Sequence, residues 1–185
     1  MQRQIPNAIT LLRIVLLIPV FICLIHEQYQ SALFLFLLAG ISDSLDGLLA
    51  RRYHWKSRFG SIADPIADKL LIVFTLIGLT WVGAIPLWLT SVMILRDFVI
   101  VSGAIAYHYL LGDFEIVPSM ISKINTGTQL GFLMLTLLDL TFFPMPRWFI
   151  TFGIGCVFTS SVLSGVDYVW TWGRKAQFEW NNRER

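Results

Sequence analysis

Two pairs of aspartates at helical spacing are the residues best suited to chemistry in this sequence. Asp43 and Asp46 are three positions apart, and Asp64 and Asp68 are four apart. On two helices, each pair would project from a single face. Oxygen ligands that converge from fixed helices are typical of sites for hard divalent cations such as magnesium or calcium. Two bound cations would balance four carboxylates, so the spacing predicts a two-metal site with Asp43, Asp46, Asp64 and Asp68 as ligands.

The composition places these acids in an apolar setting. Hydrophobic residues make up 56% of the 185 residues and charged residues only 14%, against about 45 to 50% and 25% in soluble domains. These values argue against a soluble globular domain, a disordered chain and a disulfide scaffold. An ionisable group at membrane depth costs about 2.5 to 3.5 kcal/mol, so four carboxylates there require compensation by cations.

The pattern of apolar runs predicts an all-α, polytopic membrane protein that forms one domain over residues 1–185. Small residues one turn from the acids (Gly47, Ala50 and Gly60) favour a polar cavity. Breaks at Gly83, Pro86, Pro144 and Pro146 separate apolar segments. Six transmembrane helices are expected near residues 7–25, 31–51, 61–82, 87–110, 119–139 and 147–172.

The distribution of cations predicts the topology. With the amino terminus inside, ten lysines and arginines fall in cytoplasmic segments and only Arg147 falls on the opposite side. This bias follows the positive-inside rule, so both termini and the metal-binding cavity should face the cytoplasm. The net charge of +2 gives no signal for nucleic acid, whereas the cytoplasmic cations suit anionic membrane lipids. No transit peptide is evident, which favours a bacterial inner membrane over a mitochondrial inner membrane.

Four further polar residues mark a candidate acceptor site, namely Arg13, Arg96, Lys123 and Asn125. A phosphate-bearing ligand would explain cations inside apolar helices. Arg96 and Asp97 are adjacent in a helix, about 100° apart. We therefore expect that they do not face one another and that each has its own partner.

The segment from 42 to 71 resembles the signature of the CDP-alcohol phosphatidyltransferases. That signature reads Asp, two residues, Asp-Gly, two residues, Ala-Arg, eight residues, Gly, three residues, Asp, three residues, Asp. Every fixed position is matched here, by Asp43, Asp46, Gly47, Ala50, Arg51, Gly60, Asp64 and Asp68. The likeness extends to IPNAITLLRI at 5–14 and SKINTGTQ at 122–129. It implies a six-helix membrane fold and a homodimer.

The resemblance also implies a reaction. The donor would be CDP-diacylglycerol, and an acceptor hydroxyl would attack the lipid-side phosphorus and release CMP. Two ions of Mg²⁺ or Mn²⁺ would be held by the four aspartates, and Asp68 would also accept the hydroxyl proton. Arg51 would meet a donor phosphate, while Gly47, Ala50 and Gly60 would let the cytidine approach the backbone.

Two acceptors are compatible with the resemblance. Enzymes that use glycerol 3-phosphate usually show Gly-Lys, one residue, Lys-Thr, where this chain has SKINT at 122–126. Asn125 in place of the second lysine removes one cation, which fits a phosphodiester of charge about −1 better than a phosphomonoester approaching −2. The Ser-Lys-Ile-Asn-Thr string, Arg96-Asp97 and Gly173-Arg174-Lys175 also resemble cardiolipin synthases of the mitochondrial type. We therefore favour phosphatidylglycerol, with glycerol 3-phosphate as the alternative.

Two other classes also use carboxylates and divalent cations. An intramembrane prenyltransferase needs aspartate clusters in separated regions of a longer chain, whereas both pairs here fall within 26 residues. A divalent-cation transporter would carry its acids at the bilayer centre, often between inverted repeats. No such repeat is visible, and the charges near Arg51 crowd the cytoplasmic end.

Overall fold

The computed structural model describes the backbone of residues 5–53, 58–111 and 119–183, and the side chains of 13–42, 66–103, 119–171 and Arg174. Within these ranges the chain forms six helices and no strand, which confirms the predicted all-α class. The helices are α1 (Ile5–Ile25), α2 (Tyr29–Tyr53), α3 (Arg58–Trp81), α4 (Leu87–Leu111), α5 (Met120–Thr141) and α6 (Arg147–Arg183).

The helix ends follow local chemistry. After α3, Gly83 adopts a φ of 77°, a conformation that glycine tolerates without a Cβ clash. Its N–H donates to the Thr80 carbonyl at 3.0 Å. Between α5 and α6, the side chain of Asp139 accepts a hydrogen bond from the Met145 N–H at 2.5 Å. The predicted breaks therefore lie where the sequence placed them.

The first of two compact units comprises Met1–Pro86 and Leu133–Met145. In it, α1 packs against α2 and α3, and α2 contacts α3. Leu24 of α1 is fully buried and lies so close to Gly78 of α3 that an added Cβ would be 2.6 Å from its Cδ1. Phe21 and Phe74 meet edge to face, with ring centroids 5.8 Å apart. Close packing thus fixes α1 against the helix that carries Asp64 and Asp68.

The second unit comprises Leu87–Phe132 and Pro146–Arg185, in which α4 packs against α6. Trp88 and Phe158 meet edge to face at 5.6 Å. Glycines again allow close approach, because a Cβ at Gly153 would lie 2.9 Å from the Phe132 ring. This packing brings the polar residues of α4, α5 and α6 together.

One described segment, Arg147–Thr171 of α6, is long and apolar enough to cross a membrane. Two shorter apolar segments, Arg13–Ile25 and Tyr29–Ser42, lie in α1 and α2. Helices α1, α3 and α4 carry the charged residues Arg13, Asp68 and Arg96, which belong to two polar sites, one in each unit.

Candidate active site

The candidate site of the first unit contains an ion pair between α1 and α3. Arg13 Nη1 donates to Asp68 Oδ1 at 2.5 Å. The Arg13 side chain is completely buried, whereas that of Asp68 is 43% exposed. A buried guanidinium requires an anionic or strongly polar neighbour, and Asp68 supplies one. Asp68 is therefore held in place from the protein side while its carboxylate stays accessible.

This ion pair was not anticipated from the sequence. From the sequence, Arg13 is predicted to belong to the acceptor site. The signal was that Arg13 interrupts the apolar run of α1, so that a carboxylate on a neighbouring helix was needed. A pairing across 55 residues depends on which helix packs beside α1, and no local spacing reveals that.

The other aspartates of the signature lie on described helical backbone. Positions 43 and 46 are in α2 and positions 64 and 68 are in α3, so the helical spacing on which the metal prediction depends is present. The side chains of seven predicted site residues fall outside the described part of the chain, namely Asp43, Asp46, Gly47, Ala50, Arg51, Gly60 and Asp64. Among side chains that are described, no group of three or more His, Cys, Asp or Glu comes together. The four-aspartate ligand set stays a prediction.

A separate polar site surrounds Arg96 in the second unit. Arg96 is 6% exposed, and its Nη1 donates to Asp97 Oδ1 at 2.6 Å. Nη2 donates to Ser122 Oγ of α5 at 2.7 Å and also contacts Ser164 Oγ of α6. Three helices thus contribute to the surroundings of one guanidinium.

The expectation that Arg96 and Asp97 do not face one another is wrong. Adjacent positions diverge by about 100° at the Cβ atoms. The arginine side chain, however, has four rotatable bonds beyond its Cα and reaches back to the neighbouring carboxylate. The spacing rule describes where side chains start, and it does not limit where a long side chain ends.

Asn125 lies on the same face of α5 as Ser122, one turn further along. It is fully buried, and its Oδ1 accepts hydrogen bonds from Ser160 at 2.8 Å and Ser161 at 3.0 Å. Its Nδ2 has no hydrogen-bond partner among the described residues. We call the following six residues the α4–α5–α6 polar cluster: Arg96, Ser122, Asn125, Ser160, Ser161 and Ser164.

The structure thus divides the four predicted acceptor residues. Arg96 and Asn125 both bind serines within one stretch of α6, whereas Arg13 pairs with Asp68 in the other unit. Lys123 is exposed on α5. Sequence reasoning missed Ser160, Ser161 and Ser164, although three serines within five residues of an otherwise apolar helix mark a polar face.

Comparison with known proteins identifies the class. Residues 3–161 match the family model described as CDP-alcohol phosphatidyltransferase, and this chain belongs to that family. The matched region contains the whole aspartate signature, both buried arginines and Asn125.

Named relatives fall into two groups. The chain is 34% identical to cardiolipin synthase (CMP-forming) of Rattus norvegicus over 142 residues, which is 68% of this chain and 47% of the rat protein. It is 44% identical to the Streptomyces coelicolor protein of the same name over 100 residues, 50% of this chain and 46% of that protein. It is also 34% identical to CDP-diacylglycerol–glycerol-3-phosphate 3-phosphatidyltransferase of Salmonella paratyphi A over 141 residues, 70% of this chain and 74% of that protein. The chain spans about half the length of the cardiolipin synthases it matches.

Proposed function

We propose that this protein transfers the phosphatidyl group of CDP-diacylglycerol to the hydroxyl of a glycerol-type acceptor and releases CMP. The observation that carries the proposal is the complete aspartate signature inside the family match. Its last member, Asp68, is fixed by a buried arginine and still 43% exposed. An anchored but accessible carboxylate suits a residue that must meet a ligand.

The proposed donor site uses the two aspartate pairs. Asp43, Asp46, Asp64 and Asp68 would hold two divalent cations, Mg²⁺ or Mn²⁺, and the donor set fits, because all its members supply hard carboxylate oxygens. When bound, such ions neutralise charge on a pyrophosphate. Arg51 would bind a donor phosphate, and the small residues Gly47, Ala50 and Gly60 would allow the cytidine to approach the backbone.

The proposed reaction is a substitution at phosphorus. The acceptor oxygen forms a bond to the phosphorus of the phosphatidyl group, and the bond from that phosphorus to the CMP oxygen breaks. The hydroxyl proton passes to a carboxylate, for which we propose Asp68. The Arg13 guanidinium pairs with Asp68 and orients the carboxylate for both proposed roles.

We favour phosphatidylglycerol over glycerol 3-phosphate as the acceptor. The α4–α5–α6 polar cluster presents little uncompensated positive charge, because Arg96 forms an ion pair with Asp97 at 2.6 Å. In addition, Asn125 stands where enzymes that use glycerol 3-phosphate usually have a lysine. An acceptor phosphate of charge about −1 matches such a site better than one approaching −2. Relatives of both kinds are similar to this chain, so this choice rests on the charge balance.

We further propose that all six helices lie in a membrane, as a homodimer with both termini in the cytoplasm of a bacterium. The cation distribution and the apolar length of α6 support this arrangement. These charged residues within α1, α3 and α4 are compatible with a membrane location, because Arg13 pairs with Asp68 and Arg96 pairs with Asp97.

The function is tested with the purified full-length protein. CDP-diacylglycerol is offered with phosphatidylglycerol or glycerol 3-phosphate, and CMP is measured. We expect CMP release with phosphatidylglycerol, loss of this release with a chelator and its return with Mg²⁺ or Mn²⁺.

Asp43→Asn should abolish CMP release without unfolding the protein, and retained turnover in saturating Mg²⁺ would contradict the metal assignment. Release only with glycerol 3-phosphate would refute the acceptor. Divalent-cation flux into liposomes without CMP release would instead indicate a transporter.

A further inference from the structure

A cleft of about 940 Å³ lies between α4 and α6 within the second unit. Its walls are largely aliphatic, with Leu95 and Val99 on α4 and Val162 and Val166 on α6. Its polar lining includes two arginines, of which Arg96 is paired with Asp97 and Arg174 is exposed. Clefts of about 300 to 1,000 Å³ with mostly apolar walls and a few polar groups are typical ligand sites.

Arg174 is placed to bind an anion at one end of this cleft. It is exposed, and its guanidinium carbon lies 5.8 Å from the centre of the Trp170 ring, which also lines the cleft. Contact with a ring face orients a guanidinium while its N–H groups remain available to an anion. Arg174 follows the apolar segment Arg147–Thr171 by three residues, so in the proposed membrane arrangement it would lie near the lipid phosphates.

A second cleft lies between α5 and α6 and provides a contrast, although it shares Val166 and Trp170 with the first. It has a volume of about 490 Å³ and is lined by Ile121 and Ile124 of α5 and by Leu163 and Asp167 of α6. Its charged residue is an aspartate, which repels a phosphate. Charge therefore distinguishes two apolar clefts that share one helix.

We infer that the α4–α6 cleft binds an acyl chain of the acceptor phospholipid, with the lipid phosphate between the two arginines that line it, Arg96 and Arg174. This inference rests on the proposed function. The cleft is continuous with the α4–α5–α6 polar cluster, because Arg96 and Ser161 line it and belong to that cluster. A diacyl acceptor such as phosphatidylglycerol gains apolar contact there, whereas glycerol 3-phosphate has no chain to bury. The cleft thereby selects lipid acceptors over water-soluble ones.

Adjacent residues on α6 give a matched pair of variants. Val162 lines the α4–α6 cleft and Leu163 lines the other cleft, and both are partly exposed, at 42% and 56%. Val162→Trp should fill the proposed site, and Leu163→Trp should add the same bulk outside it. Val99→Trp should fill the same cleft from its α4 wall, and this variant replaces Val162→Trp in the experiment if Val162→Trp fails to fold.

The experiment uses the purified full-length protein and phosphatidylglycerol with a photoreactive diazirine in its acyl chain. Labelled peptides are mapped by mass spectrometry. We expect labels on residues 92–99 and 162–170, a loss of about tenfold in labelling with Val162→Trp, and no loss with Leu163→Trp. Arg174→Gln should remove the preference for phosphatidylglycerol over phosphatidylcholine. The KM for phosphatidylglycerol should rise about tenfold in Val162→Trp, while that for CDP-diacylglycerol stays unchanged.

Labels outside both segments, or labels that Val162→Trp leaves unchanged, would overturn the inference. So would a Val162→Trp protein that turns from dimer to monomer with labelling intact, because the cleft would then hold a second copy of the chain. Cleft labelling without CMP release from phosphatidylglycerol would refute the proposed acceptor and still support a phospholipid site. CMP release without cleft labelling would support the function and refute the cleft.

Discussion

Among the side chains that the structure describes, each unit buries one arginine, and the two arginines find their polar partners in different ways. In the first unit, Arg13 donates to Asp68, a carboxylate from another helix that is itself 43% exposed. In the second, Arg96 is surrounded by its sequence neighbour Asp97 and by serines from α5 and α6. In the first unit the same carboxylate therefore serves both packing and the proposed chemistry. In the second unit, several groups share the contacts with the buried guanidinium.

The strongest test of this contrast replaces the aspartate of each pair. Asp68→Asn should reduce CMP release by more than about 100-fold, because it removes a proposed metal ligand and proton acceptor. Asp97→Asn should keep activity within about tenfold, since Ser122 and Ser164 still bind Arg96. Initial rates of CMP release at saturating substrate concentrations measure both effects. Equal losses in the two variants would remove the distinction between the units.

Replacing the two arginines should separate turnover from binding. Arg13→Met leaves Asp68 without its guanidinium and should lower kcat about tenfold, with a small change in the acceptor KM. Arg96→Met should raise the acceptor KM about tenfold, with a smaller change in kcat. Steady-state kinetics with varied phosphatidylglycerol measure both. A rise in acceptor KM in Arg13→Met alone would return Arg13 to the acceptor site.

The polar cluster can be examined through Asn125. Asn125→Leu leaves two serine hydroxyls without the acceptor that they share, and should lower the free energy of unfolding by about 1 to 2 kcal/mol. In a Ser160→Ala, Ser161→Ala background, the same substitution should cost less. Unfolding of all four proteins in one detergent completes the cycle. Additive losses would show that these hydrogen bonds do not stabilise the packing of α5 on α6.

The smallest effect is expected for Ser164→Ala. Removing one hydroxyl from Arg96 should cost about 1 kcal/mol or less, because Asp97 and Ser122 remain, and activity should change less than twofold. Thermal unfolding and CMP release check this. A loss as large as that in Arg96→Met would mean that Ser164 alone positions the guanidinium.

Much of the fold could be predicted from the sequence. Glycine and proline mark the breaks at Gly83, Pro86 and Pro144–Pro146, and apolar runs give five helices to within three residues at each end. The sixth continues to Arg183, about three turns beyond the prediction. Its apolar run ends near Thr171, but residues such as Arg174, Lys175 and Ala176 favour helix in water as well. Hydropathy therefore predicts where the apolar segment of α6 ends, but it does not predict where the helix ends.

The site was less predictable than the fold. The signature fixes which aspartates matter, because their helical spacing is local. The partner of Arg13 depends on which helices pack together, and the Arg96–Asp97 contact depends on side-chain rotamers. The α6 serines become relevant only when α4 and α5 are placed beside them. Local spacing thus predicts the chemistry of one helix face, and packing decides what that face meets.

The length of α6 has a further consequence. At a rise of about 1.5 Å per residue, its 37 residues extend about 55 Å, well beyond the hydrocarbon thickness of about 30 Å. If Arg147–Thr171 occupies the bilayer interior, the remaining turns form a stiff rod in the aqueous phase. Since no break separates that rod from the wall of the α4–α6 cleft, a rotation of the carboxyl-terminal tail about its axis would also turn Val162 and Trp170.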